Sequence, residues 1–358
     1  MVFCGIVWYL LCNYQQNHHL TNSGLLSSLS YTCGMKITQV SFILIAKNEQ
    51  FALAKSLEAI AQFDMADCDV IFVDSGSTDQ TLDVALSFKD KIQGLSVVSI
   101  TGEQNAATAR NEGLKLATKN IVFFVDGDVE LNPEFITAGI DKIQNNETDA
   151  VFGQLDDYEY DETFSVRNSI LKNRTSINTE EKRYSCGGIF MVKKSIVDEI
   201  GSFDDHFVKC QDFDYTLRIT KKYRLTAIPI SMGVHHTVPY SDASRIKAEF
   251  KNSLFIYYGK VIRKNLNNSK GCYARLNSSG HMKGLLILAM LVLGLFFSPL
   301  GYLSMALILL DALLGVMKGQ NVFYRLISHY VAPVYMVYGL IKGIEKTPAL
   351  QNSIQRIL

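Results

Sequence analysis

The chain has 358 residues, 35 basic and 35 acidic side chains, and 48% hydrophobic residues. The length favours two structural units, the neutral charge argues against a general nucleic-acid-binding protein, and the hydrophobic content excludes intrinsic disorder. A mean hydropathy of +0.10 is high for a wholly soluble protein and indicates a membrane-embedded part.

The charges are unevenly distributed along the chain. Residues 1–244 carry 21 basic and 32 acidic side chains, whereas residues 245–358 carry 14 and 3. This pattern predicts an acidic soluble domain attached to an anionic surface. The seven cysteines are scattered without a C-x-x-C pair, which argues against a zinc site or a disulfide framework and favours reduced cysteines in the cytosol.

Residues 1–35 are interpreted as an N-terminal extension. The apolar run at 2–12 is too short to span a bilayer and lacks the preceding basic residue of a signal peptide. Met35 stands immediately before the first strand, so we expect either a natural start at Met35 or a loose tail.

Residues 36–244 alternate apolar runs with helical patterns, which predicts an α/β domain with a mostly parallel, Rossmann-like sheet. Helices are expected between the first two strands and over 79–88, 106–117 and 211–218. Ligands of such sheets bind beyond the carboxyl ends of the strands. The predicted strands are Val40–Ile45, Val70–Val73, Val97–Ile100, Ile121–Val125 and Gly188–Val192.

The C-terminal part is apolar. Nine basic residues in 245–283 indicate a juxtamembrane segment, and residues 284–317 then contain a single charge, Asp311. One helix of that length would measure about 51 Å against a hydrocarbon core of about 30 Å. Ser298–Gly301 divides it, which predicts a helical hairpin. With a third apolar stretch at 326–341, residues 284–344 are expected to form two or three membrane helices, and 345–358 a tail.

Acidic and basic side chains follow several of the predicted strands. Asp126 and Asp128, separated by Gly127, leave the end of a buried strand, where hard oxygen ligands could share Mg²⁺ or Mn²⁺ with a diphosphate. Asp74 sits at a strand tip, where it could accept a hydrogen bond from a base or a sugar. Arg110, on a helix before the Asp-Gly-Asp strand, could offset phosphate charge.

Other candidates are Asn48 and Glu49, which end the first strand, and Gln211 and Asp212, which open an amphipathic helix. His235 follows a late strand, where a histidine is more often structural than a ligand. Each of these features also has an ordinary structural explanation as a turn, a helix cap or a favourable partner of the helix dipole.

Together the motifs resemble family-2 glycosyltransferases with a GT-A fold, over roughly residues 38–240. The motifs occur in the order I-x-x-N-E, V-D-S-G-S-T-D, A-R-N, D-G-D, G-G-x-F-M-V and Q-D-F-D-Y-T-L-R. The chain departs from the family pattern at Ala46, where a proline is usual, and at Gln211, where a glutamate is usual. The second departure puts the role of that neighbouring acid in doubt but leaves Asp212 in place.

The resemblance implies a membrane-anchored, inverting glycosyltransferase with a cytoplasmic catalytic domain at the inner cell membrane. It implies that Asn48, Glu49 and Asp74 hold a nucleotide-sugar donor, that Asp126 approaches the ribose and the metal, and that Asp128 ligates Mg²⁺ or Mn²⁺. Asp212 would be the catalytic base. The acceptor would be a lipid-linked or surface saccharide, or a polyprenyl phosphate.

Two other classes of function stay open at this point. A strand ending in D-x-D also resembles haloacid-dehalogenase-type phosphatases, although their motif lies on the first strand and Glu130 stands where that family has threonine or valine. A membrane-tethered binding module that keeps the fold without catalysis is the other alternative. Phosphoenzyme trapping and turnover of nucleotide sugars would separate the three.

Overall fold

The structure, a computed structural model, describes residues 36–160, 166–173, 177–237, 249, 254–278, 281–317, 321–343 and 352–358. The N-terminal extension expected at 1–35 lies outside these residues, as do residues 345–351 of the tail expected at 345–358. The strands are β1 Lys36–Ala46, β2 Asp64–Asp74, β3 Leu95–Gly102, β4 Ile121–Asp126, β5 Val129–Leu131, β6 Ala150–Tyr160, β7 Val166–Asn173, β8 Glu181–Arg183, β9 Phe190–Lys193, β10 Leu225–Thr237 and β11 Asn352–Arg356.

Short helices connect the strands, and longer ones follow them. In the first part of the chain these are α1 Leu53–Ala61, α2 Thr81–Leu86, α3 Ala106–Leu116, α4 Pro133–Gln144, α5 Lys194–Ile200 and α6 Gln211–Thr220. The later ones are α7 Leu254–Lys264, α8 Ser269–Ser278, α9 His281–Leu293, α10 Ser298–Met317, α11 Val322–Leu326 and α12 Ala332–Lys342, with a 3-10 turn at Leu266–Asn268 and a π-helical turn at Ile327–Val331.

Among the described residues, one sheet of eleven strands forms the centre of the domain. Nine strands follow the order β11-β3-β2-β1-β4-β9-β6-β10-β5, while β7 pairs with β6 and β8 with β10. β3, β2, β1 and β4 are parallel, as the sequence predicts. The sheet as a whole is mixed, because β9 runs antiparallel to both β4 and β6. The apolar runs of β1, β2 and β4 are buried on both faces, which is why they read as continuous hydrophobic segments.

A smaller second core joins α6 to the C-terminal helices. Phe213 and Leu217 of α6, Val261 of α7, Cys272 of α8 and Met336 of α12 are buried together. Arg263 adds a hydrogen bond from its Nη1 to the carbonyl of Leu340, at 3.1 Å. Part of the third apolar stretch therefore packs against α7 and α6.

The expected helical hairpin is present as α9 and α10, but its turn lies at residues 294–297. Ser298 and Pro299 open α10, because proline is tolerated in the first turn of a helix, where its missing N–H has no partner to lose. α10 is the one described helix that is by itself long and apolar enough to cross a membrane. Asp311 within it faces other helices and accepts from Arg325 Nη2 at 2.7 Å and His329 Nδ1 at 2.9 Å.

The final strand, β11, returns to the central sheet. It pairs antiparallel with β3, with Ile354 opposite Ile100, and the backbone N–H of Val97 donates to the carbonyl of Leu358 at 3.0 Å. The sequence did not predict this strand, whose five residues are mostly exposed.

Candidate active site

The carboxyl ends of β2, β1 and β4 meet at one edge of the sheet. Parallel pairing places Asp74 beside Ala46, and Asp126 beside Ile45. The backbone N–H of Gly127 donates to the carbonyl of Ile45 at 2.8 Å, and a Cβ added at Gly127 would lie 2.6 Å from that of Ala46. A glycine is therefore required where the Asp-Gly-Asp turn crosses the end of β1.

Asp126 forms an ion pair with a helix that precedes it in the chain, and the arginine partner of this pair is buried. Arg110 Nη2 of α3 donates to Asp126 Oδ1 at 2.6 Å, and the arginine side chain is 4% exposed. A Cβ added at Gly188 would lie 2.3 Å from Arg110 Nη2 and 2.7 Å from Asp126 Oδ2. The glycine pair that precedes β9 therefore packs directly on this ion pair.

Asp128 lies next to His235, which is 107 residues later in the chain. The antiparallel pairing of β10 with β5 brings them together, with His235 Nε2 3.0 Å from Asp128 Oδ2. His235 Nδ1 lies 2.7 Å from Asp157 Oδ1, so the ring stands between two carboxylates. The second oxygen of Asp128, Oδ1, is buried without a hydrogen-bond partner. This orphaned oxygen is available to a ligand.

Two other carboxylates are affected by this concentration of negative charge. Burial, together with the nearby Asp128 and Asp126, raises the pKa of Glu49 to about 8. Desolvation also raises the pKa of Asp126, with Asp128 and Asp212 adding to the effect and Arg110 opposing it. Crowded carboxylates of this kind favour a bound cation, since neighbouring negative charges destabilise the ionised forms.

Asp212 lies in the first turn of α6. The residue before this helix, Cys210, has a left-handed backbone with φ of 63°, a conformation uncommon for a residue other than glycine. Asp214 is completely buried and accepts from Arg218 Nε at 3.1 Å, which confirms the pairing that their i,i+4 spacing predicts. Asp214 therefore has a structural position, whereas Asp212 lines the cavities described next.

Two cavities adjoin at these residues. The first, of about 470 Å³, is lined by Glu49, Arg110, Asp126, Asp128, Gln211 and Asp212 among others. The second, of about 640 Å³, is also lined by Asp126 and Asp212, and in addition by the Gly187–Gly188 pair, His235, Tyr258 and Arg275. Asp126 and Asp212 thus lie at the junction between the two spaces.

Two of the predicted site residues do not line either cavity. Asn48 Oδ1 accepts from the backbone N–H of Thr78 at 2.8 Å and so fixes the loop after β2. Asp74 is 2% exposed, and its carboxylate accepts from the N–H of Ser77 at 3.1 Å and from Ser99 Oγ at 3.0 Å. Both shape the edge of the first cavity through the loop that they hold.

The structure brings together one further group of possible metal ligands that the sequence analysis did not single out. Asp204, Asp205 and His206 lie close enough for their ligand atoms to share an ion. Asp204 also accepts from Lys264 Nζ of α7 at 2.7 Å, and His206 Nδ1 lies 2.9 Å from Asp204 Oδ1. These contacts connect the loop before α6 to α7.

Comparison with known proteins gives a consistent result. Residues 41–201 match the model of Glycosyl transferase family 2. The chain is 26% identical over 217 residues to glycosyltransferase AglE of Haloferax volcanii, covering 59% of this chain and 71% of AglE. It is 23% identical over 210 residues to the poly-beta-1,6-N-acetyl-D-glucosamine synthase of Staphylococcus epidermidis, covering 51% and 48% of the two chains.

A solved structure shows the same fold. Residues 1–349 of S. aureus TarS, crystallised in complex with UDP, align with a TM-score of 0.52 and 17% identity, covering 89% of this chain and 96% of that one. The family match also argues against the haloacid-dehalogenase alternative. From the matched segment, the mixed sheet and the carboxylates at its edge, we assign residues 41–201 to glycosyltransferase family 2 and the fold to the GT-A type.

Proposed function

We propose that this chain transfers a sugar from a nucleoside-diphosphate sugar to a hydroxyl acceptor, with a divalent cation and with inversion at the anomeric carbon. The observation that carries the proposal is the position of Asp126 and Asp212 at the junction of two cavities. The donor would occupy the first cavity and the acceptor the second, so that their reacting atoms meet between the two carboxylates.

The residues present fit a divalent cation. Asp128 offers a buried oxygen without a partner, and Asp126 keeps Oδ2 outside its bond to Arg110. The bond from Nδ1 to Asp157 indicates a proton on that nitrogen of His235. Its Nε2 is then a hydrogen-bond acceptor that faces another acceptor, Asp128 Oδ2. Either a second proton on the imidazole ring or a cation bound by both atoms satisfies this arrangement. We propose Asp126, Asp128 and His235 as the ligands of Mg²⁺ or Mn²⁺.

The chain's own residues would carry out the other parts of the reaction. Bound metal would act as a Lewis acid that stabilises the charge of the departing diphosphate. Arg110 holds Asp126 in place, and Glu49 and Gln211 line the donor cavity. Asp212 would take the proton of the acceptor hydroxyl from the opposite side of the sugar, a contribution commonly worth about 10²–10⁴-fold in rate.

The acceptor we propose is a lipid-linked or surface saccharide at the cytoplasmic face of the cell membrane. The relatives named for polysaccharide synthesis support this, as does AmsB of Erwinia amylovora, an amylovoran biosynthesis glycosyltransferase that is 24% identical over 234 residues. The apolar helix α10 and the basic segment at 245–283 also support it. A polyprenyl phosphate acceptor is the second candidate, because the same helices would bring the site close to a lipid.

A donor screen tests the proposal. Purified full-length chain is incubated with UDP-, GDP- and dTDP-sugars and Mn²⁺ or Mg²⁺, beginning with UDP because UDP is bound in the TarS crystal. We expect nucleotide release with one nucleotide class, and its loss in Asp212→Asn when a saccharide acceptor is supplied. The absence of turnover with the whole panel would favour the binding module, and a product with retained configuration would refute the single displacement.

A further inference from the structure

The wall of the second cavity includes residues from the C-terminal part of the chain, beyond the matched family segment. Tyr258 of α7 and Arg275 of α8 line it together with Asp212. These residues follow the matched segment by more than fifty positions. The space in which we place the acceptor is thus completed by helices that the sheet does not supply.

Arg275 is held in a defined position in that wall. Its Nη2 donates to the Tyr258 hydroxyl at 2.7 Å, and its guanidinium carbon lies 5.6 Å from the centre of the Phe213 ring and 5.4 Å from that of Tyr258. Aromatic rings beside a guanidinium group restrict its orientation, and they do not neutralise its positive charge. Burial raises the pKa of Tyr258 to about 12, so its hydroxyl keeps a proton that it can donate.

A second guanidinium lines the same cavity. Arg183 of β8 pairs with Glu181 and is 42% exposed. Asp126, which also borders the space, is already paired with Arg110 on its other side. The cavity is therefore lined by two guanidinium groups as well as by the carboxylates of Asp126 and of the proposed base, Asp212, and Arg275 is the guanidinium that lies between aromatic rings.

We propose that Arg275, assisted by Tyr258 and Arg183, binds an oxyanion that the acceptor carries close to its reacting hydroxyl. This inference rests on the proposed function and narrows its acceptor to an anionic class, a phosphate-bearing or carboxylate-bearing alcohol. Guanidinium groups recognise both anions through paired N–H donors. Arg275 would act as a specificity residue and would not take part in the proton transfer.

Binding of small probes to the full-length chain tests the inference. UDP, GDP and dTDP with Mn²⁺ are titrated first, and the nucleotide that binds is then kept saturating. Glycerol 3-phosphate, glycerate and glycerol are compared by calorimetry, because the three share a hydroxyl and differ in the anion. We expect glycerol to bind most weakly, and the order of the two anions separates a phosphate from a carboxylate acceptor.

The decisive variant is Arg275→Gln, with Lys270→Gln as its matched control. Lys270 lies on the same helix, is exposed and is absent from the cavity wall, so its loss changes the net charge equally. We expect Arg275→Gln to weaken binding of the anionic probe by about tenfold or more, as for a lost charge-assisted hydrogen bond. Lys270→Gln is expected to bind it as the unmodified chain does.

Equal binding of the three probes, or an undiminished affinity in Arg275→Gln, would overturn the inference. If Arg275→Gln does not fold, Arg183→Gln takes its place, and unchanged anion binding in that variant counts against the inference in the same way. Failure of every nucleotide to bind would instead contradict the proposed function, so the two failures are distinguishable.

Discussion

Replacing Asp214 by asparagine should lower the melting temperature of the catalytic domain, whereas the same change at Asp212 should abolish transfer with little effect on stability. The two residues lie in the same turn of α6 but have different surroundings. Asp214 is fully buried and accepts from Arg218, from Lys264 Nζ at 3.0 Å and from Asn265 Nδ2 at 2.8 Å. For Asp212, the structure gives a bond from the N–H of Phe213.

The expected sizes follow from these contacts. Removing one partner of a buried ion pair costs about 3–5 kcal/mol, which for a domain of this size lowers the melting temperature by on the order of 10 °C. Loss of a carboxylate that favours a helix N-terminus through the helix dipole costs about 0.3–1 kcal/mol, and hence only about 1–4 °C. Loss of a general base should reduce the rate by about 10²–10⁴-fold.

Thermal unfolding of the purified full-length variants, followed by circular dichroism, gives the first quantity. Initial rates of transfer at a temperature well below both transitions give the second. If Asp214→Asn melts with the unmodified chain but has lost transfer, while Asp212→Asn remains active, the two assignments are reversed. If both variants lose stability equally, the proposed division between a structural and a catalytic aspartate fails.

Three further outcomes are expected. Excess EDTA should abolish activity, and added Mn²⁺ or Mg²⁺ should restore it. Asp128→Ala should lose Mn²⁺ binding, measured by electron paramagnetic resonance, and should keep the melting temperature of the unmodified chain. Full turnover in EDTA would contradict the proposed metal site. Gly188→Ala should weaken nucleotide binding by calorimetry, since its Cβ would displace Arg110, whereas Gly187→Ala, with Asp212 Oδ2 as nearest neighbour at 3.9 Å, should bind as before. Asp311→Asn should lower the melting temperature in detergent without slowing donor hydrolysis, because it removes the carboxylate shared by Arg325 and His329. A reduced rate of hydrolysis at an unchanged melting temperature would show that these three residues have a role other than stability.

The sequence predicts the parallel half of the sheet well, because β1, β2 and β4 contain continuous apolar segments that are buried. β6 escapes detection and β10 is expected only as a late strand without bounds, for a physical reason. β6 ends in a charged and aromatic segment, and Pro229 interrupts β10, so neither shows a continuous apolar run. The extent of β10 and its parallel pairing with β6 therefore became visible only in the structure.

The candidate site shows the same contrast between local and distant information. The pairing of Asp214 with Arg218 follows from helical spacing alone. The contact of His235 with Asp128 depends on the register between β10 and β5, which no local pattern encodes. Arg275 is part of the cavity wall because α8 packs beside α6. A search for polar residues at the ends of predicted strands could not have found it.

The return of β11 to the sheet limits how the chain can thread a bilayer. β3 and β11 are hydrogen-bonded neighbours, so the segments before and after the apolar helices lie on the same side of any membrane. The helices between them must then cross an even number of times if they cross at all, and α12, packed against α7, lies on the side of the catalytic domain. A shortened chain that ended before α9 would also lose β11, exposing the unpaired edge of β3 to other molecules.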